Sequence, residues 1–465
     1  MSIDILPDEA LLDIFSLCLV EESGHIAPWL PLVHVCQRWR SIVFASPRRL
    51  GIRVCYRPKR PVKELLDIWP NLPIHISALG YRASPLQSEN SLLGALEHDD
   101  LICQIQLDGS YFELGRILPA MEKPFPALTS LAIICFNYDN QRYQQPMVVL
   151  SQAFLGGSSH DLRSCHFQAV EFPGIWELLL TANHLVTLIL WDIPYSMYTS
   201  SEAMATCLST MPNLESLSVV FLPPQSSPYN SPDQPNRLLS PLTRVILPSL
   251  TTFRLQATGE YIEDIVSWMD APLLDEADIR FFDQLIFDTP RLHDFLGRIK
   301  QFKAHSRGNV MFVGSCVRFR LELGSLSFEL TILCRGTGRQ MSSMVQLCSS
   351  SPHLPYAMKR LDIWSPLVPR WYRQDEVEDS DPQWLELLRP FTRLKDLHLS
   401  GGIVQHYALA LRDLTGERVT EVLPELQNLF IEGLEPPIQD AIGQFVAARQ
   451  QSGLPVMVHS WDGLS

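Results

Sequence analysis

One phrase recurs at least nine times after residue 50: an apolar residue, two polar or small ones, a second apolar, one more residue, and a third apolar. The copies are Ile102-Ile105-Leu107, Leu128-Leu131-Ile133, Leu185-Leu188-Leu190, Leu214-Leu217-Val219, Leu250-Phe253-Leu255, Leu274-Ala277-Ile279, Met358-Leu361-Ile363, Leu394-Leu397-Leu399 and Leu426-Leu429-Ile431. A single copy is an ordinary amphipathic strand. Nine copies are a repeat, and a repeat of this kind buries its apolar side by stacking on its neighbours. The last two apolar positions alternate with polar ones, as in a strand with one buried face, while stretches between copies, such as Pro173 to Ala182 and Tyr261 to Met269, carry helical spacing. Pro126, Pro212, Pro248, Pro272 and Pro424 precede several copies and help to punctuate them.

A strand and a helix per unit is the plan of the leucine-rich repeat, which predicts an α/β chain: a curved parallel sheet with helices outside. Where they are clear, the starts lie roughly 24 to 36 residues apart, longer and less even than the usual unit, and the ladder Asn or Cys is mostly missing. The array is therefore read as degenerate, running as one solenoid over residues 51–465. Proline crowds Pro223 to Pro241, which reads as an exposed loop, and Asp375 to Asp381 reads as an acidic one. Between Phe302 and Cys334 the alternation in VRFRLEL and LSFELTIL predicts plain adjacent strands.

Residues 1–50 form a separate helical unit in this reading. Leu6-Pro7-Asp8-Glu9 places Pro and two acids at a helix start, and Leu11, Leu12, Ile14, Phe15, Cys18 and Leu19 follow at helical spacing. Leu32, Val35, Cys36, Trp39 and Val43 repeat the pattern until Ser46-Pro47 stops it. So short a unit cannot cover all its apolar surface, which predicts docking. ILPDEALLDIF followed by LVHVCQRWRSIVFASPRRL resembles the F-box: Leu6, Pro7, Ile14, Phe15, Val35, Cys36 and Trp39 match its ordered hallmarks, and the Leu-Trp often found after the closing Pro is replaced by Arg49-Leu50. With LDIWPNLPIHI, HLVTLILWDIP and LPELQNLFIEGL, most of the chain resembles the basidiomycete F-box proteins with degenerate leucine-rich repeats.

Composition narrows the function. The hydrophobic fraction of 46% and charged fraction of 19% are those of an ordered chain, and a net charge of -14 argues against binding nucleic acid. A run free of acid from Arg38 through Arg53, Arg57 and Arg60 to Lys63 either seeks an acidic surface or forms a solvated basic edge. The 10 cysteines are scattered and read as buried free thiols, and there is neither a signal-like start nor an apolar segment of spanning length, so no membrane is implied and the cytoplasm or nucleus is expected. No motif for nucleotide, metal or nucleophilic catalysis occurs, and Arg335-Gly336-Thr337-Gly338 reads as a turn; no metal, no cofactor and no catalytic residue are expected.

The resemblance implies a non-catalytic substrate adaptor of a Skp-cullin-F-box ubiquitin ligase. Leu6, Pro7, Leu11, Ile14, Phe15, Val35 and Trp39 would bind a Skp-type linker and, through it, a cullin. Strand alternation puts Trp191, Arg254, Arg280, Trp364, His398 and Phe430 on the side of the sheet away from the core, where they would hold a protein substrate. The alternative is a leucine-rich interaction scaffold that never meets a ligase. An enzyme would require a pocket of converging polar groups that no motif announces.

Overall fold

The structure is a computed structural model that describes residues 6–18, 30–46, 49–50, 54–55, 64, 66, 72–79, 85–136, 147–223, 244–282, 289–299, 306–323, 326–334, 339–350, 353–366, 383–414 and 418–461. It is mixed α/β, with a large and mostly parallel sheet. The chain divides into two compact units, Met1–Met197 and Tyr198–Ser465. The N-terminal helices fall in the same unit as the first strands, because Leu72 completes their core.

The first unit holds β1 (Val54–Cys55), β2 (Ile74–Leu79), β3 (Ile102–Gly109), β4 (Ser130–Cys135), β5 (Val148–Val149), β6 (Ser164–Gln168), β7 (Val170–Glu171) and β8 (Thr187–Ile193). Strands β1, β2, β3, β4, β6 and β8 pair in that order, all parallel, while β5 and β7 make a separate short pair. Strand β6 belongs to a tenth copy of the phrase, Leu162-Cys165-Phe167, obscured in the sequence because a cysteine takes the middle apolar position; all three side chains are buried.

The second unit holds β9 (Ser216–Phe221), β10 (Val245–Ile246), β11 (Thr252–Ala257), β12 (Met269–Asp270), β13 (Glu276–Phe281), β14 (Arg307–Val313), β15 (Cys316–Leu323), β16 (Leu326–Leu333), β17 (Arg360–Ser365), β18 (Asp396–Gly401), β19 (Asn428–Glu432) and β20 (Met457–Trp461). Strands β9, β11 and β13 are successive parallel neighbours, as are β17, β18, β19 and β20. Strands β15 and β16 are the adjacent strands that alternation predicts, joined antiparallel, and β14, which the alternation does not mark, pairs antiparallel with β15. They enter in reverse: β16 pairs with β13 and β14 with β17, both in parallel. Only β15 runs against its neighbours, so β13 and β17 point the same way and the parallel order resumes beyond β14.

The three apolar positions of the phrase have distinct tasks. The first sits in a tight turn: Leu128, Leu185, Leu214, Leu250, Leu274, Leu394 and Leu426 each donate their N–H to the carbonyl three residues earlier. The chain then joins the preceding strand, as when Asp275 and Glu276 both donate to the Thr251 carbonyl and Lys395 and Asp396 to that of Lys359. The second and third point into the core, and Leu188, Leu190, Phe253, Leu255, Ala277, Ile279, Leu361, Ile363, Leu397, Leu399, Leu429 and Ile431 are all buried.

Helices occupy the expected intervals, at Ile175–Leu179 and Gly259–Trp268. Some are tied to each other by polar contacts. Buried Glu263, on Gly259–Trp268, accepts from the first N–H groups of helix Pro290–Arg298 at Arg291 and Leu292, both 2.9 Å, where the helix dipole favours a negative charge. The loops expected at Pro223 to Pro241 and Asp375 to Asp381, and the turn at Arg335 to Gly338, lie almost wholly or wholly outside the described residues. Of the described cysteines, Cys36 is exposed and Cys103 half-buried, against the expectation of uniformly buried thiols. Cys36 sits at the N-cap of helix Gln37–Ala45, where its Sγ accepts from the Trp39 N–H, and a cap position lies at the surface.

Near the C-terminus, helix Pro436–Gln451 carries Arg449, which is fully buried. It donates to the carbonyls of Val419, Leu423 and Leu426 at 3.1, 3.1 and 3.2 Å, and burial pulls its pKa below the ordinary arginine value. Replacing it by leucine keeps the packing bulk but removes the donors. Arg449→Leu should cost about 3 kcal/mol in urea unfolding. A loss below about 1 kcal/mol would mean that water reaches those carbonyls and the arginine is dispensable.

Candidate functional site

Two surfaces carry the residues singled out above. The first is the N-terminal hairpin. Helix Asp8–Cys18 starts after Pro7 with Asp8 and Glu9 in its first turn, and Leu11, Leu12 and Phe15 meet Val33, Ile42, Val43, Leu50 and Leu72 in a buried core. Trp39 packs on Phe15 with ring centroids 4.7 Å apart, and Leu6 lies at the edge of the same core. Arg38 fastens the start of the helix by reaching the Asp8 carboxylate at 2.7 Å and the Leu6 carbonyl at 2.6 Å, and Arg49 pairs with Asp13 at 2.6 Å.

This packing divides the seven expected linker contacts. Leu11 and Phe15 are fully buried inside the hairpin, because their spacing of four puts both on the helix face that joins the shared core, so they shape the surface without lying on it. Leu6 and Trp39 are partly buried. Pro7, Ile14 and Val35 are exposed, and Leu17, which the motif does not single out, is 75% exposed. Pro7, Ile14 and Leu17 follow helical spacing on the side away from the core. The basic run is partly consumed internally by Asp8 and Asp13, and Arg53, Arg57, Lys59, Arg60 and Lys63 lie outside the described residues.

The second surface is the face of the sheet opposite the buried apolar pairs. Trp191 lies in the first unit, half-buried, edge-on to His166 with centroids 5.4 Å apart. The other five expected substrate contacts are all in the second unit. Arg254 and Arg280 converge on one carboxylate that the sequence reading missed: Asp278, in register with Arg254, accepts from both at 2.8 Å and is itself buried. A similar group surrounds Asp362, only 2% exposed, which takes Arg307 at 3.0 Å and Arg360 at 3.1 Å. Half-buried Trp364 sits two residues further along the same strand.

His398 is buried, not exposed as an interface anchor would be. It lies across from Asp362 and Phe430 in the strand register, flat on the Phe430 ring at 4.0 Å, with the Trp461 ring edge-on at 5.1 Å; Phe430 stacks in turn on His459. Its Nδ1 is 3.7 Å from the Asp362 carboxylate. Burial lowers its pKa to about 4; Asp362 and Asp396 oppose that shift while Arg360 and Arg307 add to it. The signal for the missed acids was present in the sequence: Asp278-x-Arg280 and Arg360-x-Asp362 each put opposite charges on one face of a strand.

Among the described residues, no three His, Cys, Asp or Glu side chains gather as metal ligands, and no helix is long and apolar enough to cross a membrane. The chain matches no protein-family model and no curated protein.

Burial makes the fold favour neutral His398 over its charged form. With its pKa lowered from 6.5 to about 4, its stabilisation is present above pH 6.5 and is lost as the pH falls toward 4. The thermal midpoint of the protein should therefore drop across that interval, and His398→Phe, which keeps the stack on Phe430, should flatten the drop. His406, whose pKa burial also lowers, supplies part of the remaining slope. Equal slopes for the two proteins would show that His398 is not held neutral.

Proposed function

We propose that this chain is a substrate-recognition adaptor of a Skp-cullin-F-box type ubiquitin ligase, in which an F-box hairpin docks on a Skp-type linker and a leucine-rich-repeat-like solenoid holds a protein target. The observation that carries the reading is the hairpin's division of labour. Leu11, Phe15 and Trp39 close a small core, which leaves Pro7, Ile14, Leu17 and Val35 in solvent. Such apolar surface on a short helical unit is stabilised when a partner covers it. The regular strand and turn units support the solenoid half of the reading, and their outward Arg and aromatic side chains are of the types enriched at interface centres.

Within this reading the chain breaks no bond itself. It raises the effective concentration of a target's lysines near a charged ubiquitin carrier, and linker length and geometry set the gain. The cytoplasm or nucleus is the setting this function requires.

Co-precipitation of a Skp-type linker and a cullin tests the proposal. Ile14→Asp with Val35→Asp places charges on exposed positions, so the fold should survive while linker binding falls more than about tenfold. Phe15→Asp should instead unfold the hairpin, visible as lost helical circular dichroism. If the unmodified chain brings down neither protein, the adaptor reading fails and a scaffold working outside ubiquitination takes its place. Changing Trp191, Arg254 and Trp364 together to Ala should remove target capture and spare linker binding; loss of linker binding as well would show that these side chains support the fold.

A further inference from the structure

We infer that β20 is a site of self-association: the outer edge of Met457–Trp461 pairs antiparallel with the same strand of a second copy, about a two-fold axis at His459. This contact stands apart from linker and target binding and needs neither.

The edge is open in its main chain. Among the described residues β20 pairs with β19 alone, at the end of the order β17, β18, β19 and β20. The Met457 N–H donates to the Gln427 carbonyl at 2.9 Å, so Met457, His459 and Trp461 turn their peptide groups toward β19. The N–H and C=O groups of Val458 and Ser460 therefore point away from the sheet. Proteins blunt such edges with a charged side chain, a proline or a bulge, because an unblunted edge is a template for another strand. From Met457 to Trp461 there is no Lys, Arg, Asp, Glu or Pro, and the register with β19 runs without a shift.

The side chains make this strand its own complement. With the axis at His459, Val458 of one copy faces Ser460 of the other, and Ser460 faces Val458. The outward groups of these residues meet as hydrogen-bonded pairs, each exchanging both N–H to C=O bonds. Met457 faces Trp461 of the second copy at a position between those pairs, where opposed side chains come closest. Met457 is 62% exposed, and the contact of its thioether with an indole is favourable and is made twice. His459 meets its counterpart on the axis. Its ring stacks on Phe430 at 4.7 Å and its Nε2 lies 3.4 Å from Asn428 Oδ1, both on β19, so it leans away from the edge. Moving the axis to Val458 or Ser460 would oppose Met457 or Trp461 to His459 and leave one end of the strand beyond its partner.

The helix that precedes β20 does not oppose the approach. Helix Pro436–Gln451 exposes Gly443, Gln444 and Ala447, and its only charged residues are Asp440 and the buried Arg449. Strands of 5 residues cover less than the ~1,200–2,000 Å² of ordinary stable complexes, so the dimer is weak and forms with concentration.

The first measurement is sedimentation velocity of the full chain from about 1 to 200 μM. The coefficient should rise from that of a monomer toward that of a dimer and go no further, because two-fold pairing closes the edge. Ser460→Pro removes an outward N–H that the sheet does not use, and Met457→Asp sets a carboxylate against the indole of the second copy. Each should weaken the dimer more than about tenfold. Met457 is exposed, so its variant keeps the fold even if proline distorts the strand, and circular dichroism checks both. His459→Cys tests the register. Opposed Cα atoms about 4.5 Å apart are within reach of a disulfide, so mild oxidation should join residue 459 to itself. Peptide mass mapping separates that link from any through exposed Cys36. A chain that stays monomeric throughout overturns the inference and leaves a strand of another protein as the edge's occupant. A dimer indifferent to both Ser460→Pro and Met457→Asp, or one in which residue 459 never joins to itself, overturns it equally.

Discussion

Two inward side chains per strand hold the sheet, and everything on its open face follows from them. In β11, β13, β17, β18 and β19 the second and third apolar residues of the phrase are at most 1% exposed. Burying one such side chain is worth about 1.5–3 kcal/mol before entropy is counted. A slip of one residue would turn every pair into solvent and drive the charged positions inward. Register is therefore strongly specified, and with it the identity of each residue that faces out.

That specification explains how carboxylates come to be buried at the surface of a sheet. Asp278 lies between Ala277 and Ile279, and Asp362 between Leu361 and Ile363, so neither can turn inward. Each stands instead under the long stems of neighbouring arginines. A desolvated carboxylate is costly unless its oxygens are taken up by donors, and two guanidiniums fill that need. The same contacts immobilise arginines that would otherwise lose rotamer entropy on binding a ligand.

The period-two pattern made much of this legible. It marked most of the strands, among them the adjacent pair β15 and β16, and put Arg254, Arg280 and Trp364 on the open face. What it could not supply was pairing across the chain. The reversed entry of β14, β15 and β16 depends on which edges meet, and no local spacing encodes that. His398 was read as an anchor because its alternation is right; its burial comes from Phe430 and Trp461, distant in sequence and adjacent only through the register. Leu11 and Phe15 were read as contacts for a related reason: a motif lists the residues needed, without separating those that shape a surface from those that form it.

The two surfaces differ in chemistry, and the difference bears on how one chain could serve two partners. The hairpin exposes Pro7, Ile14, Leu17 and Val35 among charged residues such as Glu9 and Arg40, so association through those apolar side chains would strengthen with buried area. The open face of the second unit carries arginines paired with acids, so contacts made there would depend on ionic strength more than those of the hairpin. A partner suited to one surface gains little from the other, because an apolar anchor finds arginine heads on the sheet and a polar segment finds Ile14 and Leu17 on the hairpin. Discrimination of this sort needs no communication between sites. It follows from a unit too short to cover its own leucines and a sheet whose register leaves its arginines outside.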